Sequence, residues 1–233
     1  MKALILSAGF GKRLKPITNK LPKCLVKIGK KTLLEIWLEK LYNLGVKSFL
    51  INTHYKSNLV EKFVSESKFK KRIKLVNEKK ILGTAGTLAK NIDFFKNSGG
   101  FVLHCDNFSK FSVKRFLKKH NNRPKKTLIT LLSFNTTKPE NSGIIKKNKK
   151  GIVKKIYEKK KKNYGKKANG AFYFFSKKSL EMISKYKNPP KDIVKDILMK
   201  NLNKIYCVHT NAFFIDVGDL KSLKIARKFN SIL

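Results

Sequence analysis

Arg13 and Lys23 stand behind a turn of small residues, Ser7-Ala8-Gly9-Phe10-Gly11, with Lys12 and Lys15 beside them. Small residues let a backbone come close to a ligand. A turn of N–H groups backed by cations is a way to cradle phosphate. The turn follows an apolar run, Ala3 to Leu6, that reads as a short buried strand. Two familiar phosphate loops fail here. The Walker A pattern asks for four residues between its glycines, and Gly9 and Gly11 are too close. The dinucleotide fingerprint asks for a third glycine where Leu14 stands and an immediate helix, whereas Pro16 and Pro22 keep the chain irregular to about residue 31. A long loop with two separated cationic groups remains, although Gly9-Phe10-Gly11 alone would also serve as an ordinary β-turn. A carboxylate comes from Asp106, directly after the apolar run Gly100 to Cys105. At the tip of a core strand it is placed to hold Mg²⁺ against phosphate oxygens, or to make an Asx turn.

The elements that must position these groups are legible as periodicities. Residues 32–44 carry apolar side chains at 33, 34, 37, 38, 41 and 44, a helical spacing closed by Gly45. Ser48 to Asn52 reads as a strand, 58–67 as a helix with Leu59, Phe63 and Val64 on one face, and Ile73 to Val76 as a third strand. This alternation predicts βαβ units and a parallel sheet. A second glycine loop, Glu78 to Thr87, then precedes a helix from Leu88 onward. In an open parallel sheet such a loop lies where ligands sit, at the carboxyl ends of strands; it also reads as a helix start rich in small residues. Further on, the pattern predicts a helix over 112–121, a strand over 127–134, a hairpin around Gly151, helices over 177–186 and 191–201, a strand over 205–208 and a last helix over 220–230. The aromatic run Phe172 to Phe175 reads as core. His54 and His104 read as structural histidines.

Taken together, Gly9-x-Gly11-x-Arg13, Pro16-x-Thr18 and Pro22-Lys23 resemble the signature of the sugar-1-phosphate nucleotidyltransferases. Leu82-Gly83-Thr84-x-Gly86 resembles that family's second loop. Asp106 matches its metal-binding aspartate, although Cys105 stands where glycine is usual. Glu158-Lys159, Ala168-Asn169-Gly170 and Asp216-Val217-Gly218 resemble three further motifs. Asp219 replaces a usual threonine and is free to cap the last helix. The resemblance implies an α/β, Rossmann-like fold with a mixed, mainly parallel sheet flanked by helices. It implies one domain, with a nucleotide-binding part over 1–110, a sugar-phosphate part over 111–218 and a C-terminal helix over 219–233. It assigns catalysis to Arg13 and Lys23, and nucleotide contacts to Ser7, Ala8, Gly9, Gly11, Lys12, Glu78, Leu82, Gly83, Thr84 and Gly86. Sugar-phosphate contacts fall to Gly143, Glu158, Lys159 and Asn169, and the metal, Mg²⁺, to Asp106 and Asp216. The substrates implied are a nucleoside triphosphate, GTP or UTP, and a sugar-1-phosphate. Among short forms of the family the chain is similar to mannose- or heptose-1-phosphate guanylyltransferases, with the N-acetylmuramate-1-phosphate uridylyltransferases as the alternative.

With 55 Lys and Arg against 14 Asp and Glu, the formal charge is +41. That balance raises a nucleic-acid binder as the rival class. Yet lysine outnumbers arginine about tenfold, the lysines are spread along the chain, and Asn and Ile are also abundant, a bias that fits an AT-rich genome. Arginine, the usual reader of base edges, is scarce. No specific nucleic-acid partner is therefore expected, and the positive field serves to draw in small anions. No apolar run approaches a membrane span and the N-terminus enters a strand directly, so neither a membrane nor a signal peptide is expected. Three cysteines, Cys24, Cys105 and Cys207, without Cys-x-x-Cys spacing, fit a reduced cytoplasm. A homodimer is left open. If the charge is compositional, duplex DNA binds weakly, without sequence preference, and loses most of its affinity between about 50 and 200 mM salt. Fluorescence anisotropy checks this; tight, sequence-selective binding at physiological salt would restore the rival.

Overall fold

The computed structural model describes residues 1–231; residues 232 and 233 of the expected C-terminal helix lie outside them. The architecture is α/β, a mixed, mainly parallel sheet flanked by helices. The chain divides into two compact units. Met1–Ile81, Leu103–Ser109 and the residues from Ile215 onward form the first; Leu82–Val102 and Lys110–Phe214 form the second.

In the first unit, Lys2–Leu6 pairs in parallel with Ser48–Thr53, placing Ala3 opposite Phe49 and Leu6 opposite Asn52. Ser48–Thr53 pairs in turn with Ile73–Asn77. Ala3, Leu4, Ile5, Phe49, Leu50 and Ile51 are all buried, the continuous apolar pattern of strands covered on both faces. The helix Leu33–Tyr42 starts where Thr32 Oγ1 accepts the Glu35 N–H at 3.1 Å, a side-chain cap worth about 1 kcal/mol. It buries Leu33, Leu34, Trp37, Leu38 and Leu41, and the Trp37 indole N–H donates to the Asn107 carbonyl at 2.8 Å. Ser57–Glu66 buries Val60 and Val64, while Leu59 and Phe63 are only half-buried, so its inward face is rotated from the one the spacing predicts. The long loop is also less irregular than expected. It holds single helical turns at Lys12–Leu14, Ile17–Lys20 and Lys23–Leu25. Prolines halt a helix only within its interior; each of these turns is too short to contain one.

In the second unit, Ile129–Asn135 pairs in parallel with Ile205–His209 and antiparallel with Lys167–Phe175. Gly143–Lys147 and Val153–Glu158 form the expected hairpin, with Gly151 at φ 80° in its turn. Phe172 meets Phe101, Phe111 and Phe116 at 5.4, 5.0 and 5.0 Å between ring centroids, so the aromatic run is core. Two expectations need correction. The helix predicted from Leu88 is Thr84–Lys90, and the glycine loop supplies its first turn. Its opening donors find partners: Ala85 N–H donates to Lys191 O at 3.0 Å, and Thr87 N–H to Gly83 O at 3.0 Å. The segment predicted as a helix over 191–201 is a π-helical turn, Ile193–Leu198, running into 3₁₀ turns, Met199–Lys204. Asn201 leaves helical geometry there at φ −132°, and its side-chain amide donates to the Ile197 carbonyl at 2.9 Å.

His120, on the helix Val113–Asn121, is 4% exposed; its Nδ1 lies 2.7 Å from Thr130 Oγ1 and its ring centroid 4.1 Å from that of Phe174, the planes tilted by 40°. Burial, with a smaller contribution from Arg123, pushes its pKa from 6.5 down to about 3. The unfolded chain therefore takes up a proton that the folded chain refuses. Stability is flat above pH 6.5 and falls toward pH 3, by about 1.4 kcal/mol per unit for this group. Urea unfolding of the wild type and of His120→Gln from pH 7 to 4.5 checks this: the variant's acid slope is shallower by that amount. Parallel slopes would remove His120 from the account.

Candidate active site

The glycine turn follows Lys2–Leu6 in the first unit, and its shape is fixed from two sides. Gly11 lies at φ 64°, where a Cβ would come within 2.9 Å of Thr18 Cγ2 and 3.2 Å of Lys23 Cβ. Only glycine fits that position without displacing the residues it touches. Gly9 has open space around it, so nothing in the protein itself demands a glycine there. Thr18 Oγ1 donates to the Gly11 carbonyl at 2.9 Å, and the Tyr55 hydroxyl donates to the Thr18 carbonyl at 2.9 Å. Phe10 is 42% exposed and sets its ring against His54 and Tyr55 at 5.3 and 5.8 Å. Lys12 is exposed, with its ammonium over the Phe10 ring.

Behind the turn lies a polar chain that joins two of the expected contacts, Ser7 and Glu78, through Asn52, which sequence reasoning missed. Ser7 N–H donates to Asn52 Oδ1 at 2.8 Å, and the Ser7 hydroxyl to the Asn52 carbonyl at 2.5 Å. The Asn52 amide donates to Glu78 Oε1 at 2.9 Å. Glu78 is only 4% exposed, so one carboxylate oxygen braces Asn52 from inside the fold. Asn52 follows the apolar run Phe49 to Ile51 near the end of its strand, and a polar residue continuing a core strand is the one signal that could have found it.

Lys23 follows Pro22 on a 3₁₀ turn, anchored by the fully buried Cys24. Its ammonium reaches Asp106 Oδ2 at 2.5 Å and Asp216 Oδ1 at 3.6 Å. Backbone bonds hold both aspartate segments: Cys105 N–H donates to Leu6 O at 3.0 Å, and Val217 N–H to Asp106 O at 2.9 Å. Burial alone would lower the Lys23 pKa, but the charges of Asp106 and then Asp216 outweigh it and hold it above its usual value. Burial likewise works against ionised Asp106, and Lys23, followed by His104, keeps its carboxyl below the usual range. Asp216 goes the other way: burial and the neighbouring Asp106 charge raise it, and Lys23 offsets them only in part. Arg13 is exposed, and its guanidinium lies where a Cβ on Gly218 would meet it at 3.0 Å. Among the described residues no group of three or more His, Cys, Asp or Glu converges. Two carboxylates suit Mg²⁺, which takes few protein oxygens and completes its shell with water and phosphate; they do not suit structural zinc. Asp219 does what its place suggested, its Oδ1 accepting the Ser222 N–H at 2.7 Å at the start of the last helix.

The second unit brings together the other predicted contacts. A Cβ on Gly143 would lie 2.5 Å from Glu158 Oε2 and 3.8 Å from Asn169 Cβ, so these three residues share one spot. Lys159, at φ 47°, is exposed, with its ammonium 3.8 Å from Glu158 Oε1. Burial raises the Glu158 pKa, and Lys159 pulls it back in part. The Asn169 amide donates to the hydroxyl of buried Tyr173 at 2.8 Å, a support hidden in the aromatic run. The Leu82–Gly86 loop has an internal role as well. At Gly83, φ 80°, a Cβ would sit 2.3 Å from the Lys191 carbonyl, so the close backbone approach this glycine permits is to its own chain. Thr84 Oγ1 accepts the Ile193 N–H at 2.9 Å.

A mainly parallel α/β sheet with a glycine turn, a lysine and one aspartate after its strands, and a second aspartate supplied by the short strand Phe214–Asp216 of a separate two-stranded sheet, defines a nucleotide-handling class. The family described as nucleotidyl transferase matches residues 2–231, and the chain belongs to it. The chain is similar, at 30% identity over 226 residues, to mannose-1-phosphate guanylyltransferase catalytic subunit beta of Drosophila pseudoobscura pseudoobscura, the match covering 94% of this chain and 60% of that protein. It is also 30% identical over 226 residues to mannose-1-phosphate guanylyltransferase 1 of Arabidopsis thaliana, covering 94% and 61%. The chain thus spans about 60% of the length of these relatives. Among solved structures, the backbone resembles UDP-glucose pyrophosphorylase in complex with UDP-glucose, with a TM-score of 0.82 at 19% identity over 99% of this chain and 98% of that one. It also resembles HddC from Yersinia pseudotuberculosis in complex with GMP-PN, with a TM-score of 0.79 at 21% identity over 98% and 99%.

Asn52→Ala removes the brace between Ser7 and Glu78 and leaves buried polar groups short of partners. Such losses cost about 1–3 kcal/mol. Urea unfolding should show a drop of that size, and calorimetry a weakened triphosphate affinity. An unchanged midpoint and affinity would show that the turn stands without Asn52.

Proposed function

We propose that the protein is a sugar-1-phosphate nucleotidyltransferase, with guanylyl transfer to mannose- or heptose-1-phosphate as the first choice. The observation that carries this is the Lys23 ammonium set between Asp106 and Asp216 beside the glycine turn. The names of the relatives favour GTP and a manno-configured sugar. A phosphate oxygen of the sugar-1-phosphate attacks the α-phosphorus of the triphosphate. A new P–O bond forms as the bond to the β-phosphate breaks, and pyrophosphate leaves. No bond to the protein is made, so the chain contributes position and charge.

In this reading the turn Ser7–Gly11, with Lys12 and Arg13, receives the β- and γ-phosphates through backbone N–H groups and cations. Lys23 neutralises charge that develops around the α-phosphorus in the transition state. Asp106 and Asp216 would hold Mg²⁺, which when bound supplies positive charge to phosphate oxygens. Gly143, Glu158, Lys159 and Asn169 are the proposed contacts of the sugar-1-phosphate. Lys159 would serve its phosphate, and Glu158 and Asn169 its hydroxyls. Leu82, Gly83, Thr84 and Gly86 are proposed to contact base or ribose through their backbone. A nucleic-acid binder would have no use for paired strand-end carboxylates, which repel a phosphate backbone unless a cation intervenes.

A screen of four nucleoside triphosphates against several sugar-1-phosphates, read as pyrophosphate release, tests the class and the preference together. GTP with mannose- or heptose-1-phosphate should be the best pair. Turnover with UTP alone would move the chain to the uridylyl alternative, and no release from any pair would reject the class. EDTA should silence the enzyme and Mg²⁺ restore it, and Asp106→Asn and Asp216→Asn should each abolish turnover with an unchanged far-ultraviolet spectrum. Activity in EDTA, or near-wild-type activity of either variant at low Mg²⁺, would reject the two-aspartate site.

A further inference from the structure

We infer that Lys23 is the resident counter-cation of the Asp106–Asp216 pair, and that a divalent cation reaches these carboxylates only by displacing its ammonium. The inference rests on the reading that the two aspartates hold Mg²⁺. The Lys23 Nζ lies 2.5 Å from Asp106 Oδ2 and 3.6 Å from Asp216 Oδ1, so it occupies the space between the two side chains. A magnesium ion on the same oxygens would stand at roughly 2.1 Å from them. An ammonium and a dication that close repel strongly, and a cationic lysine cannot stay beside a bound metal.

The surroundings allow an exchange rather than a permanent block. The base of Lys23 is fixed: its Cβ abuts Gly11, and Cys24 next to it is buried. Only the outer carbons are free to swing, and the Lys23 side chain is 13% exposed, against 28% for Asp106 and 58% for Asp216. The phosphate-cradling turn lies against that fixed base, so a released ammonium has an anionic acceptor at hand once a triphosphate is bound. Metal alone therefore binds weakly, because it must evict a lysine that gains no new anionic partner. Metal with triphosphate binds well, because the lysine gains a new partner. By linkage the triphosphate strengthens metal binding and metal strengthens triphosphate binding by the same factor.

The test uses Mn²⁺ alone as the probe, without nucleotide, on the full chain, following free Mn²⁺ by its electron paramagnetic resonance signal. Lys23→Met, neutral and of similar volume, should bind Mn²⁺ about tenfold more tightly than the wild type or better. Lys23→Gln, also neutral, should follow it, which guards against a misfolded first variant. Lys23→Arg should stay near the wild type. Adding Asp106→Asn to Lys23→Met should abolish the gain. Neutral variants that bind no tighter than the wild type, or a gain that survives Asp106→Asn, would overturn the inference. If the wild type needs a divalent cation for turnover and yet Lys23→Met and Lys23→Gln take up Mn²⁺ no better, the metal reading stands and the exchange alone falls. If turnover persists in EDTA, the reading beneath it falls first.

Discussion

The constraint on which the first unit turns is that two carboxylates are held near one another and near one ammonium: Asp106 just past a central strand of the main sheet, and Asp216 at the end of a strand in a separate two-stranded sheet. An ionised carboxylate leaving water without a partner is costly, and two of like sign compound the cost. The divergent shifts of the pair state this directly. Asp106, with the ammonium on it, stays easily ionised, while Asp216, further from the ammonium and facing Asp106, resists ionisation. One lysine is too little charge for two aspartates. The arrangement is therefore electrostatically incomplete in a way that a dication, or a ligand carrying one, would complete.

Rigidity is what makes that incompleteness useful. Asp106 is tied through the Val217 N–H, and Cys105 through Leu6, so neither carboxylate segment is able to relax away from the other without breaking backbone bonds. The turn that would face the phosphates is braced by Ser7, Asn52 and Glu78, and by Thr18 with Tyr55. Except for Thr18 with Gly11, each of these supports uses a polar group whose partner is distant in sequence. Preorganised groups of this kind need no rearrangement when charge develops, which is the main electrostatic advantage a folded site has over water.

The legibility of the chain follows the range of the interactions involved. Thr32, Ser112 and Asp219 act within three or four residues, and helix starts of this kind are readable as letters. The strands of the first unit are readable because a covered parallel sheet demands apolar runs. The helix at Thr84 was misplaced because its opening N–H of Ala85 is satisfied by Lys191, a partner no local pattern announces. The same holds for Asn201, which breaks its helix to reach Tyr186 and the Ile197 carbonyl. In the site, Lys23, Asp106 and Asp216 were nameable as residue types at strand and loop ends, but their convergence on one ammonium was not. Asn52 and Tyr173 escaped because their burial hides a polar task inside an apolar word.

With 14 acidic residues against 55 basic ones, a drift toward lysine has had ample opportunity to remove carboxylates. Several that remain hold positions where a lysine would fail. Asp192 caps Lys195 N–H, Asp196 accepts the N–H groups of Lys191 and Asp192, Asp219 caps the last helix, and Glu39 takes Lys31 and Lys68 together. Glu78 braces Asn52 from inside the fold, and Glu158 sits half-buried against Gly143. In all but the last of these places, backbone donors, a buried amide or a pair of lysines use the acid. By that standard Asp106 and Asp216 are costly retentions. Asp106 stands where burial works against its charge, Asp216 faces the charge of Asp106, and neither caps a helix. Under the function proposed above, carrying an anionic ligand to paired carboxylates through a shared cation would be the use a protein of this charge has for both.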